Sequence, residues 1–243
     1  MVLGSNSMPR VDRLPPPPAV PVRSPPVVVA GEVEVHVAGF GGGPSIEARV
    51  HAPSGAVRAV LLCHPHPQYG GSMHSPVPLA IAKSLSEQAI GRVAWARFNF
   101  RGVGSSEGSY DDGRGELEDA RAVLAYLRGA APGAAISVCG HSFGSWVGLR
   151  AAAASPGVDR VLLVAPSVRF VAFQGETLQF SGEKTIFVGT EDELCDVDEA
   201  RALARAIDAD LRVFEGFDHH FLKSRRALAQ AALPVVAPEA FIR

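Results

Sequence analysis

The sequence contains few cysteines, no long apolar run and no excess of charge of either sign. Three cysteines in 243 residues are too few, and odd in number, for a disulfide framework, and none belongs to the C-x-x-C pair of a structural zinc site. No segment reaches the roughly 18 to 20 consecutive apolar residues of a transmembrane helix. With 23 basic and 25 acidic residues, the chain has no positive excess for binding nucleic acid. We therefore expect a cytoplasmic protein with no membrane span and no nucleic-acid partner.

The first 26 residues lack the features of a folded segment and of a signal peptide. Eight of the 19 prolines lie there, and no charged stretch leads into an apolar core. Proline lacks a backbone N–H group and favours extended polyproline conformation. We therefore predict a flexible proline-rich arm over residues 1–26 and one folded domain over residues 27–243.

From residue 27 onward, short β-rich runs alternate with longer helix-forming runs. Val27–Val37 and Ile46–His51, joined by a glycine-rich turn, are expected to form two antiparallel strands. The runs that follow are mostly Val, Leu, Ile and Ala, as in strands buried on both faces of a parallel sheet: Ala59–Cys63, Val93–Phe98, Ala135–Cys139, Arg160–Ala165, Thr185–Val188 and Leu211–Phe214. Helices are expected near residues 76–90, 116–130, 143–155, 197–208 and 220–232. This order predicts a single doubly wound α/β domain, with a mostly parallel sheet and helices on both faces.

The pattern G-x-S-x-G occurs twice, in different contexts. Gly104–Gly108 lies within a polar, glycine-rich loop that no helix follows directly. Gly140–Gly144 instead follows a predicted strand and opens a predicted helix. A nucleophilic serine on a sharp strand-to-helix turn requires this context, because the flanking glycines let neighbouring backbones approach and the helix N-terminus faces the reacting oxygen. The sequence therefore predicts Ser142 as a nucleophile.

A serine nucleophile needs a base and a carboxylate that orients the base, and in this fold they follow the serine in the order acid, then histidine. Asp192 comes just after a predicted parallel strand, and His219 follows the last one. We predict Asp192 as the acid and His219 as the base, with His220 as the alternative base. Other acids close to Asp192 remain competitors: Glu191, Glu193, Asp196 and Asp198.

The same chemistry needs two backbone N–H groups to stabilise the charge that develops on the substrate oxygen. Phe143, directly after the nucleophile, is expected to provide one of them. The other is expected from the loop His64–Gly71, where the two prolines have no N–H group to donate. His66 is the favoured donor, with Gln68 and Tyr69 as alternatives.

A group of histidines in and after this loop raises the alternative of a metal site. His64 and His66 form an H-x-H pair, with His74 nearby, but no carboxylate ligand is suitably spaced. We therefore expect no metal ion and no other cofactor.

Five short motifs resemble, in this order, those of the small bacterial α/β-hydrolases of the dienelactone-hydrolase-like kind: CHPHPQYGGSMHS, FNFRGVGSSEG, GHSFGSW, GTEDE and GFDHHF. The resemblance covers roughly residues 27–232. It implies a capless serine esterase with Ser142 as nucleophile, Asp192 as acid and His219 as base, and it places the HPHP loop at the oxyanion hole. His220 departs from the pattern, since a bulky apolar residue is expected there. Dienelactone hydrolases themselves use a cysteine nucleophile, so a serine argues against that reaction.

The segment between Ala165 and Lys184 is too short for the helical cap that many relatives insert there, so an open site is expected. Side chains expected to line the substrate pocket are His64, Tyr69, Met73, Phe170, Phe173 and Phe180.

The sequence thus predicts a serine hydrolase that acts on a small-molecule ester or thioester, with carboxylic ester cleavage favoured. A thioesterase, an amidase and an acyl transferase would use the same residues and remain alternatives. A non-catalytic binding protein that acts through its proline-rich arm is another. A dinucleotide-binding oxidoreductase is excluded, because no G-x-G-x-x-G follows the first parallel strand.

Overall fold

The computed structural model describes residues 27–171, 173 and 179–241, so the predicted arm over residues 1–26 lies outside the described residues. Within them, one eight-stranded sheet has the strand order β1-β2-β4-β3-β5-β6-β7-β8. β3 to β8 run parallel, whereas β2 is antiparallel to both of its neighbours. The strands are β1 Val33–Val37, β2 Ile46–His51, β3 Arg58–Cys63, β4 Val93–Phe98, β5 Ala135–His141, β6 Val158–Val164, β7 Glu183–Gly189 and β8 Asp210–Phe214.

Helices cover both faces of the sheet and create two hydrophobic cores. α1 and α5 pack against each other on one face, and α2, α3 and α4 cover the other. The helices are α1 Pro76–Gln88, α2 Arg114–Ala130, α3 Phe143–Ala153, α4 Val197–Ile207 and α5 Arg225–Val236. This arrangement confirms the predicted doubly wound α/β fold. The chain between β6 and β7 is too short for a cap domain.

Two elements begin five or more residues later than predicted, each because a turn precedes the regular element. β1 begins at Val33 rather than Val27, since the Glu32 N–H donates to the Val29 carbonyl in a turn where Gly31 has a φ of 82°. A side chain at Gly31 would also meet the His51 ring. α5 begins at Arg225 rather than near residue 220, because the chain from residue 217 to 224 forms the loop that carries the two histidines.

Candidate active site

Ser142 lies at the sharp turn between β5 and α3. Its backbone has φ 55° and ψ −121°, a region that non-glycine residues rarely adopt and that costs on the order of 1–3 kcal/mol. The Ser142 N–H donates to the Val164 carbonyl at 2.9 Å, which ties the turn to the end of β6. The serine therefore stands at the carboxyl edge of the sheet, in a strained conformation that the neighbouring strand holds.

The flanking glycines are required by close backbone contacts. A Cβ atom on Gly140 would lie 2.5 Å from the Cα of Ser145, and one on Gly144 would lie 2.6 Å from the Cys63 carbonyl oxygen. Real Cβ contacts are essentially never this short. Gly144 thus lets the N-terminus of α3 pack directly against the end of β3, where the HPHP loop begins.

The serine of the second G-x-S-x-G pattern has a structural role. The Ser106 hydroxyl donates to the Asn99 carbonyl at 2.7 Å and accepts the Glu47 N–H at 2.9 Å. These two contacts tie the loop that carries Ser106 to β2 and to the end of β4.

Asp192 and His219 form a buried hydrogen-bonded pair. His219 Nδ1 lies 2.9 and 3.1 Å from the two carboxylate oxygens, and both side chains are almost completely buried. The carboxylate is fixed in turn, because its Oδ1 accepts the N–H groups of Leu194 and Cys195 at 2.9 and 3.0 Å. Since Nδ1 donates to the carboxylate, Nε2 is the ring nitrogen of His219 that stays available as an acceptor.

The two adjacent histidines differ in their surroundings. His219 is 1% exposed, whereas His220 is an exposed residue whose ring lies edge-on to that of His219, 5.2 Å between centroids. The backbone of His219 is also anchored, because His141 Nε2 donates to its carbonyl at 2.9 Å. His141 precedes the nucleophile, so this bond links the turn of Ser142 to the loop of His219.

The Ser142 hydroxyl has an unexpected partner. Its Oγ lies 2.7 Å from the Oγ of Ser167, and within the described residues no hydrogen bond joins Ser142 to His219. Sequence reasoning missed Ser167, for which the available signal was its position shortly after a predicted parallel strand. Ser167 is the third residue after β6, at the edge where the loops that follow β5, β7 and β8 also meet.

His66 and Phe143 lie next to each other at the predicted oxyanion hole, with ring centroids 4.8 Å apart. The alternative donors are used inside the loop: the Gln68 N–H donates to His66 Nδ1 at 3.3 Å and the Tyr69 N–H to the His66 carbonyl at 3.1 Å. Among the described residues, the N–H groups of His66 and Phe143 have no acceptor. Burial lowers the pKa of His66 to about 4, so its ring is neutral near pH 7.

His64 connects the oxyanion loop to the loop after β4. It is completely buried; its Nδ1 lies 2.6 Å from the Pro65 carbonyl and its Nε2 accepts the Phe100 N–H at 3.0 Å. Burial lowers the pKa of His64 to about 3, so the ring stays neutral, with the Nδ1–H donating and Nε2 accepting. These contacts give His64 a role in shaping the loop, and its contact with substrate stays a prediction.

Acid should destabilise the protein through His64, because its ordinary pKa of 6.5 falls to about 3 on folding. As the pH drops below 6.5, the unfolded chain binds a proton at His64 that the folded protein does not bind until about pH 3, so the free energy of unfolding falls across this window. Between about pH 5.5 and 4.5 the loss is about 1.4 kcal/mol for this residue. Urea unfolding at the two pH values should show that the free energy of unfolding falls by about 1.4 kcal/mol less in His64→Gln than in wild type. Equal losses in the two proteins would contradict a neutral, buried His64.

The other residues predicted for the pocket lie at varied depths. Tyr69 packs edge-on against His66, and Phe170 is half-buried in the turn after Ser167. Phe173 is partly buried against the hydrophobic core. Met73 and Phe180 are buried within the fold. Their contact with a substrate stays a prediction.

Neither a metal cluster nor a membrane span is found in the part of the chain that the structure describes. No group of three or more His, Cys, Asp or Glu side chains there is arranged to hold a metal ion. His74 Nδ1, from the histidine group discussed above, lies 3.2 Å from Arg97 and accepts the Val27 N–H. None of the described helices is both long enough and apolar enough to cross a bilayer.

Comparison with known proteins agrees with the fold described above. The model of the α/β hydrolase fold family matches residues 58–179. A serine hydrolase without lid from Xanthomonas campestris is 27% identical, with a TM-score of 0.76, over 90% of this chain and 100% of that chain. An α/β serine hydrolase homologue from Coxiella burnetii is 29% identical, with a TM-score of 0.69, over 85% and 99% of the two chains. An uncharacterized protein of Rickettsia prowazekii is 29% identical over 72% of this chain and 75% of its own length. The chain belongs to the α/β hydrolase fold family, in a form without a lid.

Proposed function

We propose that the protein is a serine hydrolase that cleaves carboxylic esters through an acyl-enzyme. The observation that carries this proposal is the buried pair of Asp192 and His219. The loops that carry these two residues follow β7 and β8, at the same edge of the sheet as the strained turn of Ser142. A buried carboxylate on Nδ1 fixes the tautomer that leaves Nε2 free to take a proton. Burying a carboxylate and a histidine costs free energy, and such buried titratable pairs cluster at functional sites. Here the pair could serve to take the proton of Ser142.

In the proposed reaction, Ser142 Oγ attacks the ester carbonyl while His219 Nε2 accepts the hydroxyl proton. Asp192 stabilises the resulting imidazolium, and the backbone N–H groups of Phe143 and His66 stabilise the oxyanion. His219 then gives its proton to the departing alcohol, which leaves an acyl group on Ser142. Water, activated by His219, releases the acid and restores the serine.

The substrate is proposed to be a small-molecule ester. The absence of a lid, shared with the Xanthomonas relative, supports a site that admits esters of varied size. Thioesters and activated amides present the same carbonyl to Ser142. They are therefore the controls for bond type rather than separate proposals.

A fluorophosphonate probe, followed by mass mapping of the labelled peptide, tests the nucleophile. We expect wild-type protein to carry the label on Ser142 and Ser142→Ala to carry none, because the probe needs an activated serine. A matched series of 4-nitrophenyl esters, thioesters and anilides should then show the highest kcat/KM for an ester. If folded wild type is not labelled and hydrolyses none of them, the result would contradict the proposed function and favour a binding protein on a hydrolase fold. Transfer of the acyl group to an added alcohol, with little free acid, would instead indicate an acyl transferase.

A further inference from the structure

The nucleophile has a second serine as its hydrogen-bond partner. Ser142 and Ser167 are 6% and 5% exposed, and their hydroxyl oxygens are 2.7 Å apart. This is the usual length of a good O–H···O hydrogen bond. The proposed reaction needs the Ser142 proton to reach His219, yet the structure pairs that hydroxyl with a residue outside the Ser-His-Asp set.

Rigid backbone on both sides holds Ser167 in this position. Ala165 has a φ of 47°, in the left-handed region that L-residues rarely adopt, and its N–H donates to the Phe187 carbonyl at 2.8 Å. Pro166 follows, with its φ fixed by the ring. The Ser167 carbonyl accepts the N–H groups of Phe170 and Val171 at 3.0 and 3.1 Å, which closes a turn just after it.

The same segment also holds the backbone of the nucleophile. The Val164 carbonyl accepts the Ser142 N–H at 2.9 Å, and three residues later Ser167 contacts the Ser142 hydroxyl. The end of β6 thus fixes both the main chain and the side chain of Ser142. Ser142 and Ala165, which follow the paired residues His141 and Val164, both have a positive φ. Backbone strain of this kind concentrates at functional sites.

We propose that in the resting enzyme the Ser142 hydroxyl donates to Ser167 Oγ, so that Ser167 is a positioning residue. It holds the Ser142 hydroxyl in an orientation from which the hydroxyl must turn before His219 takes its proton. This inference rests on the proposed function. During acylation the Ser142 O–H bond breaks and the proton goes to His219 Nε2, while a bond forms between Ser142 Oγ and the carbonyl carbon; Ser167 keeps its own proton throughout. The Ser142–Ser167 hydrogen bond therefore stabilises the resting enzyme and is lost on the way to the transition state.

Removing the Ser167 hydroxyl should therefore make acylation faster. A net hydrogen bond between neutral groups corresponds to a rate factor of about 2 to 10, so Ser167→Ala should label with the fluorophosphonate about 2 to 10 times faster than wild type. Deacylation should not change, because the acyl-enzyme has no Ser142 hydroxyl proton to hold. For an ester substrate we expect a higher kcat/KM and an unchanged rate of acyl-enzyme hydrolysis in single-turnover measurements.

Two further variants separate this effect from damage to the fold. Ser167→Cys keeps a side chain of similar size, but its sulfur is a weak hydrogen-bond acceptor, so this variant should also label faster. Ser167→Thr keeps a hydroxyl oxygen as the acceptor and should label at the wild-type rate. Structural damage would lower the labelling rate rather than raise it. Unchanged or slower labelling of folded Ser167→Ala or Ser167→Cys would overturn the inference while leaving the proposed function intact. Absence of label on wild-type Ser142 would overturn the proposed function itself.

Discussion

Substitution of His219 by alanine should lower kcat for an ester substrate by about 10⁴- to 10⁶-fold, the loss typical of removing the base from a Ser-His-Asp site. The reason is positional: His219 Nε2 is the ring nitrogen left free by the bond between Nδ1 and Asp192, 2.9 Å long. Without this base, the Ser142 hydroxyl keeps its proton and is a weak nucleophile. Steady-state hydrolysis of a 4-nitrophenyl ester measures the effect directly.

His220→Ala is the matched control, because the two residues are adjacent in the chain and differ in burial. His220 is exposed, and among the described residues the salt bridge to a carboxylate is made by His219 and not by His220. Its loss should therefore change kcat by only a few-fold. Far-ultraviolet circular dichroism of both variants checks that the fold is kept. The base would be reassigned if His220→Ala lost most of the activity and His219→Ala retained it.

The strands and most of the helices were predictable because a short stretch of sequence is enough to indicate each of them. A strand covered on both faces needs apolar side chains at successive positions, and β4 was predicted with the bounds the structure has, Val93–Phe98. Ser142 was chosen over Ser106 by the same local reasoning, since only one of the two G-x-S-x-G patterns joins a strand to a helix. The errors fell at β1 and α5, where backbone turns decide the boundary.

What escaped prediction depends on contacts between distant parts of the chain. Ser167 reaches Ser142 because Ala165 adopts a left-handed conformation, which no residue pattern in the sequence indicates. Arg97 lies in the middle of an apolar run, yet its side chain is completely buried with that of Glu32, 65 residues away. Such pairs can be predicted only once the order of the strands in the sheet is known, because neither residue alone indicates its partner.

The buried pair of Glu32 and Arg97 carries the largest expected effect on stability. Both side chains are 0% exposed, and the guanidinium donates to the two carboxylate oxygens at 2.7 and 2.6 Å. Glu32 also accepts the Trp95 indole N–H at 3.1 Å and the Val29 N–H at 3.0 Å. Burial by itself would raise the pKa of Glu32, but the hydrogen bonds from Arg97, Val29 and Trp95 outweigh it and hold the pKa below its ordinary value, so the carboxylate is charged in the fold.

Glu32→Gln should lower the free energy of unfolding by about 3 to 5 kcal/mol, because the Arg97 charge then stays buried without its counter-ion. Glu34→Gln is the control: Glu34 also pairs with an arginine, Arg49, at 2.5 Å, but its side chain is 48% exposed, so we expect a loss below about 1 kcal/mol. Urea unfolding of the three proteins at one pH and salt concentration measures both differences. Equal losses in the two variants would mean that burial of the Glu32–Arg97 pair does not set its energy. A large loss only in Glu32→Gln would show that this buried ion pair, which joins the turn before β1 to β4, makes a major contribution to the stability of the fold.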